Sequence, residues 1–265
     1  MKDKQEKLKA LLSAMEKALI AFSGGVDSTF LLFMAKETLG AENILAVIAQ
    51  SPTYPVEEVE AAIKIADNLG VKCRIIDTEE FQDENFVSNP QDRCYFCKKE
   101  LFAKLKELAG ENGIEPVLDG SNLNDLSDYR PGTRAKNEFG IRSPLQEAEL
   151  TKEEIRELSK AAGLPTWDKP SMACLSSRIP YGTRITRDVL YKIGEAEKFL
   201  RSLGLKQVRV RHHDVVARIE VGEEEIVTIL NDGLREKIIK KLEELGYFFV
   251  ALDLKGYRTG SMNVW

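Results

Sequence analysis

A short segment with two adjacent glycines has the composition of a phosphate-binding loop. Residues 23–28 read Ser-Gly-Gly-Val-Asp-Ser and stand between an apolar run, 18–22, and a helical pattern, 28–39. Backbone N–H groups at a helix N-terminus attract an anion, and glycine lets phosphate oxygens approach the backbone closely. We therefore expect a phosphate site here. The alternative is a tight strand-to-helix turn with a serine cap.

The side chains of this loop add to the same chemistry. Ser23 and Ser28 supply hydroxyl donors next to Gly24 and Gly25. Asp27 is negative, so its expected role is to hold Mg²⁺ or to orient the loop. The segment is not a Walker sequence, because no Gly-Lys-Ser/Thr follows a longer glycine loop.

The cysteines form the second group of reactive side chains. Cys94 and Cys97 open a predicted helix, 95–111, with two residues between them. Alone, such a pair could be a redox pair, half a zinc site or chance. Cys174 follows in a polar, proline-flanked stretch typical of an exposed functional loop. Cys73 lies within an apolar strand, and we interpret it as a small buried side chain.

Three candidate thiolate ligands remain, and they suit two kinds of metal centre. One is an iron–sulfur cluster with one iron left open, and the other is a zinc ion with an open position. The only histidines, His212 and His213, are adjacent in a predicted strand. Adjacent strand residues point to opposite faces, so they do not form a joint metal site.

The elements that would position these residues alternate between helix and strand. Helices are predicted at 7–17, 28–39, 56–69, 95–111 and 151–162, and strands at 18–22, 44–49, 72–77, 116–120 and 141–145. Nearly continuous apolar strands separated by helices predict an α/β, doubly wound parallel sheet. Residues 123–142 are expected to form a long functional loop.

The pattern changes after residue 182. A helix at 187–203, strands at 207–212 and 216–221, a broken helix at 223–245 and a strand at 247–254 predict a small α+β unit. We therefore predict two domains, 1–182 and 183–265.

Composition excludes several classes of protein. The chain has 265 residues, 43% of them hydrophobic, and a formal net charge of -5. The negative charge argues against a large nucleic-acid surface, and no apolar run is long enough to span a bilayer. The charged N-terminus lacks the apolar core of a signal peptide, so we expect a cytoplasmic protein with reduced cysteines and neither a nucleic-acid nor a membrane partner.

The loop at 23–28 resembles the PP-loop of the ATP pyrophosphatase superfamily. That resemblance implies binding of ATP with Mg²⁺ and cleavage between the α- and β-phosphates, which leaves an adenylated intermediate. It also implies that adenine lies near residues 49–51, which include Ser51. Residues 119–122 resemble a second phosphate-facing loop. Asp125 and Asp128 are then candidate Mg²⁺ or substrate contacts, or alternatively part of a solvated acidic loop.

A more specific resemblance runs over nearly the whole chain. The segments that carry it, besides the PP-loop, are 128–132, Cys174 with 177–182, 201–204, 208–211 and 252–254. Together they resemble the LarE family. Its members adenylate a carboxylate of pyridinium biscarboxylic acid mononucleotide and install sulfur as a thiocarboxylate, for the nickel-pincer cofactor of lactate racemase.

The resemblance also assigns roles to cysteines and their neighbours. In the family, the cysteine matching Cys174 handles the sulfur. One subgroup sacrifices that sulfur, whereas another holds a [4Fe-4S] cluster on three cysteines, with a sulfide on the open iron. The sacrificial subgroup lacks the pair seen here as Cys94 and Cys97, so the chain resembles the cluster-bearing one. Lys98 and Arg178 would hold a substrate carboxylate or phosphate.

Four further residues would line the nucleotide-substrate pocket by the same resemblance. Arg209 and Arg211 are two apart in a predicted strand and therefore share a face. Glu197 and Arg258 would complete the pocket. The alternative for the arginines is ordinary surface charge on a strand. The family's small domain also supports oligomer formation, so the resemblance implies a homo-oligomer.

The functional hypothesis is therefore an ATP-dependent, adenylating sulfurtransferase with a small-molecule nucleotide substrate. One rival is a PP-loop tRNA thiolase with the same cluster, which would bind tRNA tightly. A second rival is an ammonia-dependent, amide-forming synthetase, which needs no cysteine triad. A third is a nucleotide-binding module stabilised by zinc.

Overall fold

The computed structural model describes residues 1–126, 131–170, 173–230 and 232–258. Contacts divide the chain into two compact units, Met1–Phe86 with Gln91–Met172 and Val87–Pro90 with Ala173–Trp265. Residues 173–182 make most of their contacts within the second unit, although the sequence analysis assigned them to the first domain. The predicted domain boundary between residues 182 and 183 stays a prediction. Within the described ranges, none of the helices combines the length and the apolar character that crossing a bilayer requires.

The first unit is built on a four-stranded parallel sheet. Its strands are β1 (Ala18–Ala21), β2 (Ile44–Gln50), β3 (Cys73–Asp77) and β4 (Val117–Leu118). Their order across the sheet is β3-β2-β1-β4, and every pairing is parallel. Parallel neighbours need crossover connections, and helices supply them here. The predicted α/β fold with a parallel sheet is confirmed.

Eight helices accompany this sheet within the described ranges. They are α1 (Lys2–Ser13), α2 (Val26–Leu39), α3 (Val56–Asn68), α4 (Glu84–Val87), α5 (Arg93–Asn112), α6 (Gly132–Glu138), α7 (Pro144–Glu147) and α8 (Lys152–Ala161). The predicted capping box is present at the start of α8, where Thr151 and Glu154 bond each other's backbone N–H groups.

Apolar cores cover both faces of the parallel sheet. Ile20 of β1 packs in a cluster with residues of α1, α2, α3 and α8, whereas its neighbour Leu19 packs in a second cluster with residues of α5. This split follows from the strand period, because successive side chains point to opposite faces. The sheet is therefore buried on both sides, which explains its nearly continuous apolar strands.

Two expectations for the middle of the chain are wrong. Residues 123–142 are not one long loop, because they contain a 3₁₀ turn, Leu123–Leu126, and α6. Residues 141–145 do not form a fifth strand. Only an isolated parallel bridge joins Arg142 to Leu118, and Pro144 then begins α7. A proline at the first helical position is preorganised for a helix and cannot donate to a strand ladder.

The second unit has the predicted α+β composition. A three-stranded sheet has the order β5-β6-β7, with β5 (Val208–His213), β6 (Val216–Val221) and β7 (Phe249–Leu252). β5 and β6 are antiparallel, and β6 and β7 are parallel. The helices are α9 (Arg187–Ser202), α10 (Ile226–Ile229) and α11 (Asp232–Glu244). A smaller domain with its own sheet is confirmed.

Candidate functional site

The phosphate loop joins β1 to α2, as the sequence predicts. Gly25 is the N-cap residue of α2 and carries no side chain, so the N–H groups of the first turn are available to an anion. The Oγ atoms of Ser23 and Ser28 lie 3.0 Å apart, and the Oγ of Ser28 accepts from the backbone N–H of Ser23 at 3.3 Å. The two serines thus brace the loop at the start of α2.

Two glycines are required by close packing around this loop. Gly24 has φ +67, and a Cβ there would lie 2.7 Å from the Cβ of Ala62 on α3. A Cβ at Gly120 would lie 2.9 Å from the backbone N of Ser28. Both distances are shorter than real Cβ contacts, so only glycine fits. The loop after β4 therefore packs directly on the start of α2.

Asp27 faces a lysine that sequence reasoning did not single out. Its Oδ2 pairs with the Nζ of Lys152 at the start of α8. Its Oδ1 is buried and accepts no hydrogen bond of ordinary geometry among the described residues, although the Asn122 side chain lies close enough to favour the charged carboxylate and oppose the rise in its pKa. Burial raises the pKa of Asp27, Lys152 opposes the shift, and the nearby charge of Asp125 adds to it. The only sequence pattern that bears on Lys152 is the capping box at Thr151, which predicts that Lys152 is the first residue of a helix.

Asp125 itself is held in the loop after β4. Its Oδ2 accepts from the backbone N–H of Asn122 at 2.9 Å. Its negative charge is one of the causes that raise the pKa of Asp27. Asp128, the other predicted acidic contact, lies outside the described residues.

A cavity adjoins the phosphate loop at the carboxyl ends of β1 and β2. Its lining residues are Ala21, Phe22, Ser23, Val47, Ile48, Ala49, Tyr54, Glu58, Val59, Ala62, Lys98 and Leu101. Ligands of parallel α/β sheets bind at this end of the strands. A mainly apolar cavity that shares Ser23 with the phosphate loop suits the base and ribose of a nucleotide.

Ser51 follows the end of β2 and is not among the residues that line this cavity. Its hydroxyl is buried between Thr53, with the two oxygens 2.9 Å apart, and the carboxylate of Glu80. These bonds fix the turn that carries Tyr54 into the cavity wall. Glu80 was missed by sequence reasoning, since nothing local connects it to a residue so far along the chain.

Cys94, Cys97 and Lys98 lie in the first turns of α5. Cys94 is exposed and Cys97 is half-buried, and residues three apart share one helix face. Lys98 lines the same cavity as Ser23 of the phosphate loop. Cys73 is half-buried on β3, and burial raises the pKa of its thiol to about 11. That shift disfavours the thiolate and agrees with a packing role.

In the second unit, Cys174 is followed by a 3₁₀ turn, Leu175–Arg178. The Arg178 side chain is 0% exposed and pairs with the equally buried Glu197 of α9 at 2.8 Å. Glu197 also accepts from Arg201 at 2.7 Å. Burial disfavours the charged form of Glu197, but Arg178, Arg209 and Arg201 outweigh it and lower its pKa.

Arg209 and Arg211 share one face of β5, as predicted, and both are buried. Arg211 donates to the backbone carbonyl of Ser177 at 3.1 Å and to Glu220 at 2.6 Å. Arg209 stands over the ring of Tyr257, with 5.2 Å from Cζ to the ring centroid. Burial and the charge of Arg178 lower its pKa.

The structure therefore joins Cys174, Arg178, Glu197, Arg209 and Arg211 in one charged cluster of the second unit. Arg258 is exposed and follows Tyr257 in the chain. Cys94 and Cys97 belong to the first unit. Among the described residues, no group of three or more His, Cys, Asp or Glu side chains is arranged to hold a metal ion. The three-cysteine centre stays a prediction.

The phosphate loop, the parallel sheet and the adjoining cavity define an enzyme of the PP-loop class. The sequence matches the family model described as NAD synthase over residues 5–106, a range that includes the phosphate loop. It is also 28% identical to one subunit of the glutamine-hydrolyzing GMP synthase from Archaeoglobus fulgidus, over 56% of this chain and 52% of that protein.

Two relatives match the chain over nearly its full length. The pyridinium-3,5-bisthiocarboxylic acid mononucleotide synthase of Lactiplantibacillus plantarum is 41% identical over 98% of this chain and 94% of that protein. An uncharacterized protein of Synechocystis is 43% identical over 99% of this chain and 98% of its own length. The chain belongs to the LarE family of PP-loop enzymes. It is an ATP-dependent sulfurtransferase.

Proposed function

We propose that the enzyme converts a carboxylate of pyridinium biscarboxylic acid mononucleotide to a thiocarboxylate, in the biosynthesis of the nickel-pincer cofactor. The observation that carries this proposal is the similarity to the Lactiplantibacillus plantarum synthase, which extends over 98% of the chain. It includes the second unit, with Cys174 and its arginines. The matches to NAD synthase and GMP synthase are shorter.

The first step is adenylation. A carboxylate oxygen of the substrate attacks the α-phosphorus of ATP, the new C–O–P bond forms, and the bond to the β-phosphate breaks to release pyrophosphate. The N–H groups at the start of α2 would face the developing negative charge, and Lys98, which lines the adjoining cavity, would add a positive charge. Preorganised donors of this kind stabilise the transition state without reorganising. In the second step sulfur attacks the acyl carbon, the C–S bond forms, and AMP leaves with the electrons of the C–O bond.

The acidic residues beside the loop fit Mg²⁺. Asp27 has a buried oxygen that accepts no hydrogen bond of ordinary geometry in the described part of the chain, and Asp125 adds a second carboxylate. Carboxylate oxygens are the ligands that this cation takes, together with substrate phosphates. When bound, Mg²⁺ would neutralise charge on the departing pyrophosphate. Lys152 holds the Asp27 carboxylate beside the loop.

The donor set of the cysteines fits an iron–sulfur cluster. Cys94 and Cys97 lie on one face at the start of α5, where a helix N-terminus favours thiolates. With Cys174 they would supply three ligands and leave one iron open. Such a cluster would supply the sulfide. The Cys94 and Cys97 pair is the observation that favours the cluster-bearing subgroup.

The second unit fits an anionic substrate. Its buried cluster contains three arginines, Arg178, Arg209 and Arg211, and two glutamates, Glu197 and Glu220; the partly exposed Arg201 pairs with Glu197 from outside this cluster. The excess of positive charge favours a ligand with carboxylates and a phosphate. Exposed Arg258 would add to it. We also propose a homo-oligomer in the cytoplasm, which light scattering and cell fractionation would test.

The test uses anaerobically purified enzyme with ATP, Mg²⁺ and the mononucleotide. We expect pyrophosphate release and a product in which sulfur replaces one carboxylate oxygen. Ser28→Ala should lose both, because its hydroxyl braces the loop. Cys174→Ser should keep pyrophosphate release and lose the sulfur product. An amide formed only with ammonia would instead assign the activity of a synthetase.

Metal analysis tests the cluster separately. We expect iron and acid-labile sulfide in the wild-type enzyme and a loss of both in Cys94→Ser, Cys97→Ser and Cys174→Ser. Cys73→Ser is the matched control, because that thiol packs against the core and its raised pKa disfavours metal binding. Zinc in place of iron and sulfide would refute the cluster.

A further inference from the structure

All three nitrogens of the Arg178 guanidinium group form hydrogen bonds with other residues of the protein. Nη1 donates to the backbone carbonyls of Ala173 at 2.7 Å and Cys174 at 3.0 Å, and to the Oγ of Ser177 at 2.8 Å. Nε and Nη2 donate to the two carboxylate oxygens of Glu197 at 2.8 and 3.2 Å. All three nitrogens are therefore engaged, and the side chain is 0% exposed.

Glu197 anchors this arginine to the rest of the second unit. Its Oε1 also accepts from the backbone N–H of Val210 on β5 at 3.1 Å. A fully buried carboxylate is stable only when it is paired and hydrogen-bonded, and here the requirement fixes where Arg178 must stand. Because the guanidinium group is planar and rigid, fixing its Glu197 side also fixes the position of the carbonyls of Ala173 and Cys174, which accept from its other side.

The segment held in this way contains Cys174. Arg211 adds a further bond, from Nη1 to the carbonyl of Ser177. The segment's own turn is short, with the N–H of Ser177 bonded to the carbonyl of Cys174 at 3.0 Å and the N–H of Ile179 to Ser176 at 3.2 Å. A single turn has little stability of its own, so the arginine bonds must hold it.

We propose that Arg178, anchored by Glu197, is a positioning residue that fixes the backbone at Cys174, and that it does not bind the substrate directly. This inference rests on the proposed function, in which Cys174 handles the sulfur. A fixed Cys174 backbone sets the direction of its side chain, and misplacing a reacting group by about 1 Å can cost about a hundredfold in rate.

The test compares Arg178→Gln and Glu197→Gln with Arg201→Gln. Arg201 pairs with the same Glu197 oxygen as Arg178 but is partly exposed and makes no bond to residues 173–177 within the described part of the chain. Hydrogen exchange is measured at the N–H groups of Ser177 and Ile179 in the purified full-length enzyme. We expect about ten- to a hundredfold faster exchange in the first two variants, the effect of losing one hydrogen bond to a charged group. Arg201→Gln should match the wild type.

The catalytic readout separates positioning from substrate binding. In Arg178→Gln we expect pyrophosphate release with an unchanged KM for the mononucleotide and a reduced yield of thiocarboxylate. Arg178→Lys, which keeps one cationic donor group, should recover part of the yield. Unchanged exchange together with a raised KM would overturn the proposal in favour of substrate contact.

Two other outcomes also count against the proposal. If exchange in β6 accelerates together with that of Ser177 in both Arg178→Gln and Glu197→Gln, the pair stabilises the whole unit and has no specific role at Cys174. Wild-type exchange and yield in Arg178→Gln would refute it outright. Absence of thiocarboxylate from the wild-type enzyme would refute the proposed function but leave the exchange result standing.

Discussion

Gly24 lies where the phosphate loop packs closely against α3, and its replacement by alanine tests how much this close packing contributes to the free energy of unfolding. Its φ is +67, and an added Cβ would meet the Cβ of Ala62 at 2.7 Å and the Cα at 3.0 Å. Gly70 has the same φ of +67, but a Cβ there would meet nothing within 4 Å. The two glycines therefore share the same φ and differ in what an added Cβ would meet.

The magnitudes follow from this comparison. Each Gly→Ala substitution places an L residue in the left-handed region, at about 1–2 kcal/mol. Each also stiffens the unfolded chain, which returns about 0.4–1 kcal/mol. Both effects cancel between the variants. Overpacking against Ala62 remains for Gly24→Ala alone, at about 1–3 kcal/mol of unfolding free energy.

The assay is denaturant or thermal unfolding of both variants beside the wild type. Gly24→Ala should unfold with about 1–3 kcal/mol less free energy than Gly70→Ala, or about 2–4 °C in Tm for each kcal/mol. It should also lose most of the increase in Tm that ATP with Mg²⁺ gives the wild type, because the loop's donors are displaced. Gly70→Ala should keep that increase.

A double-mutant cycle identifies the contact. Ala62→Gly removes the Cβ that the new methyl group meets, so Gly24→Ala should cost less in that background than in the wild type. Equal stability of Gly24→Ala and Gly70→Ala, with the same response to ATP, would refute the argument that this close approach requires glycine.

Three further substitutions test other parts of the structure. Burial raises the pKa of Asp27 above 3.8, so the folded chain binds that proton more tightly than the unfolded chain, and stability falls as the pH rises through the raised value. Asp27→Asn should therefore have a higher Tm than the wild type at pH 7, and this difference in Tm should shrink as the pH falls toward 3.8. The variant should also lose pyrophosphate release. A Tm below that of the wild type at pH 7 would contradict the argument. Asn89, at φ 58, donates its buried amide to the carbonyls of Pro180 at 2.8 Å and Thr183 at 2.9 Å. Asn89→Asp should lower the free energy of unfolding by about 2–4 kcal/mol, because it removes both bonds while keeping a residue tolerant of that backbone, and unchanged urea unfolding would refute it. Thr151→Ala should cost about 1 kcal/mol in the same assay through loss of the cap on α8, with Thr151→Ser, which keeps the hydroxyl, close to the wild type.

Local patterns predicted most of the fold correctly. The apolar run before Ser23 and the run at 44–49 gave β1 and β2, because a strand buried on both faces must be apolar at every position. The capping box gave the start of α8 because its two bonds lie within four residues. The run at 141–145 failed, since a short apolar stretch does not distinguish a strand from a buried turn that enters a helix at Pro144.

The sequence did not predict contacts between residues that are far apart in the chain. Lys152 meets Asp27 across 125 positions, and no local pattern connects them. Arg178 was expected to bind substrate, whereas the structure shows its guanidinium bonded on every nitrogen to residues of the second unit. Whether Arg178 contacts the substrate stays untested. Nothing in the residue types distinguishes an arginine that meets a ligand from one that braces a loop.

The sequence by itself determined the parallel sheet, the phosphate loop between β1 and α2, and the family to which the chain belongs, because these depend on residue types and short spacings. Only the tertiary structure decided which charges are buried. The partners of Asp27 and the enclosure of Arg178 and Glu197 were settled by packing between elements far apart in the chain. Burial, which sets both the pKa of a carboxylate and the number of bonds it must make, is a property of the folded chain alone.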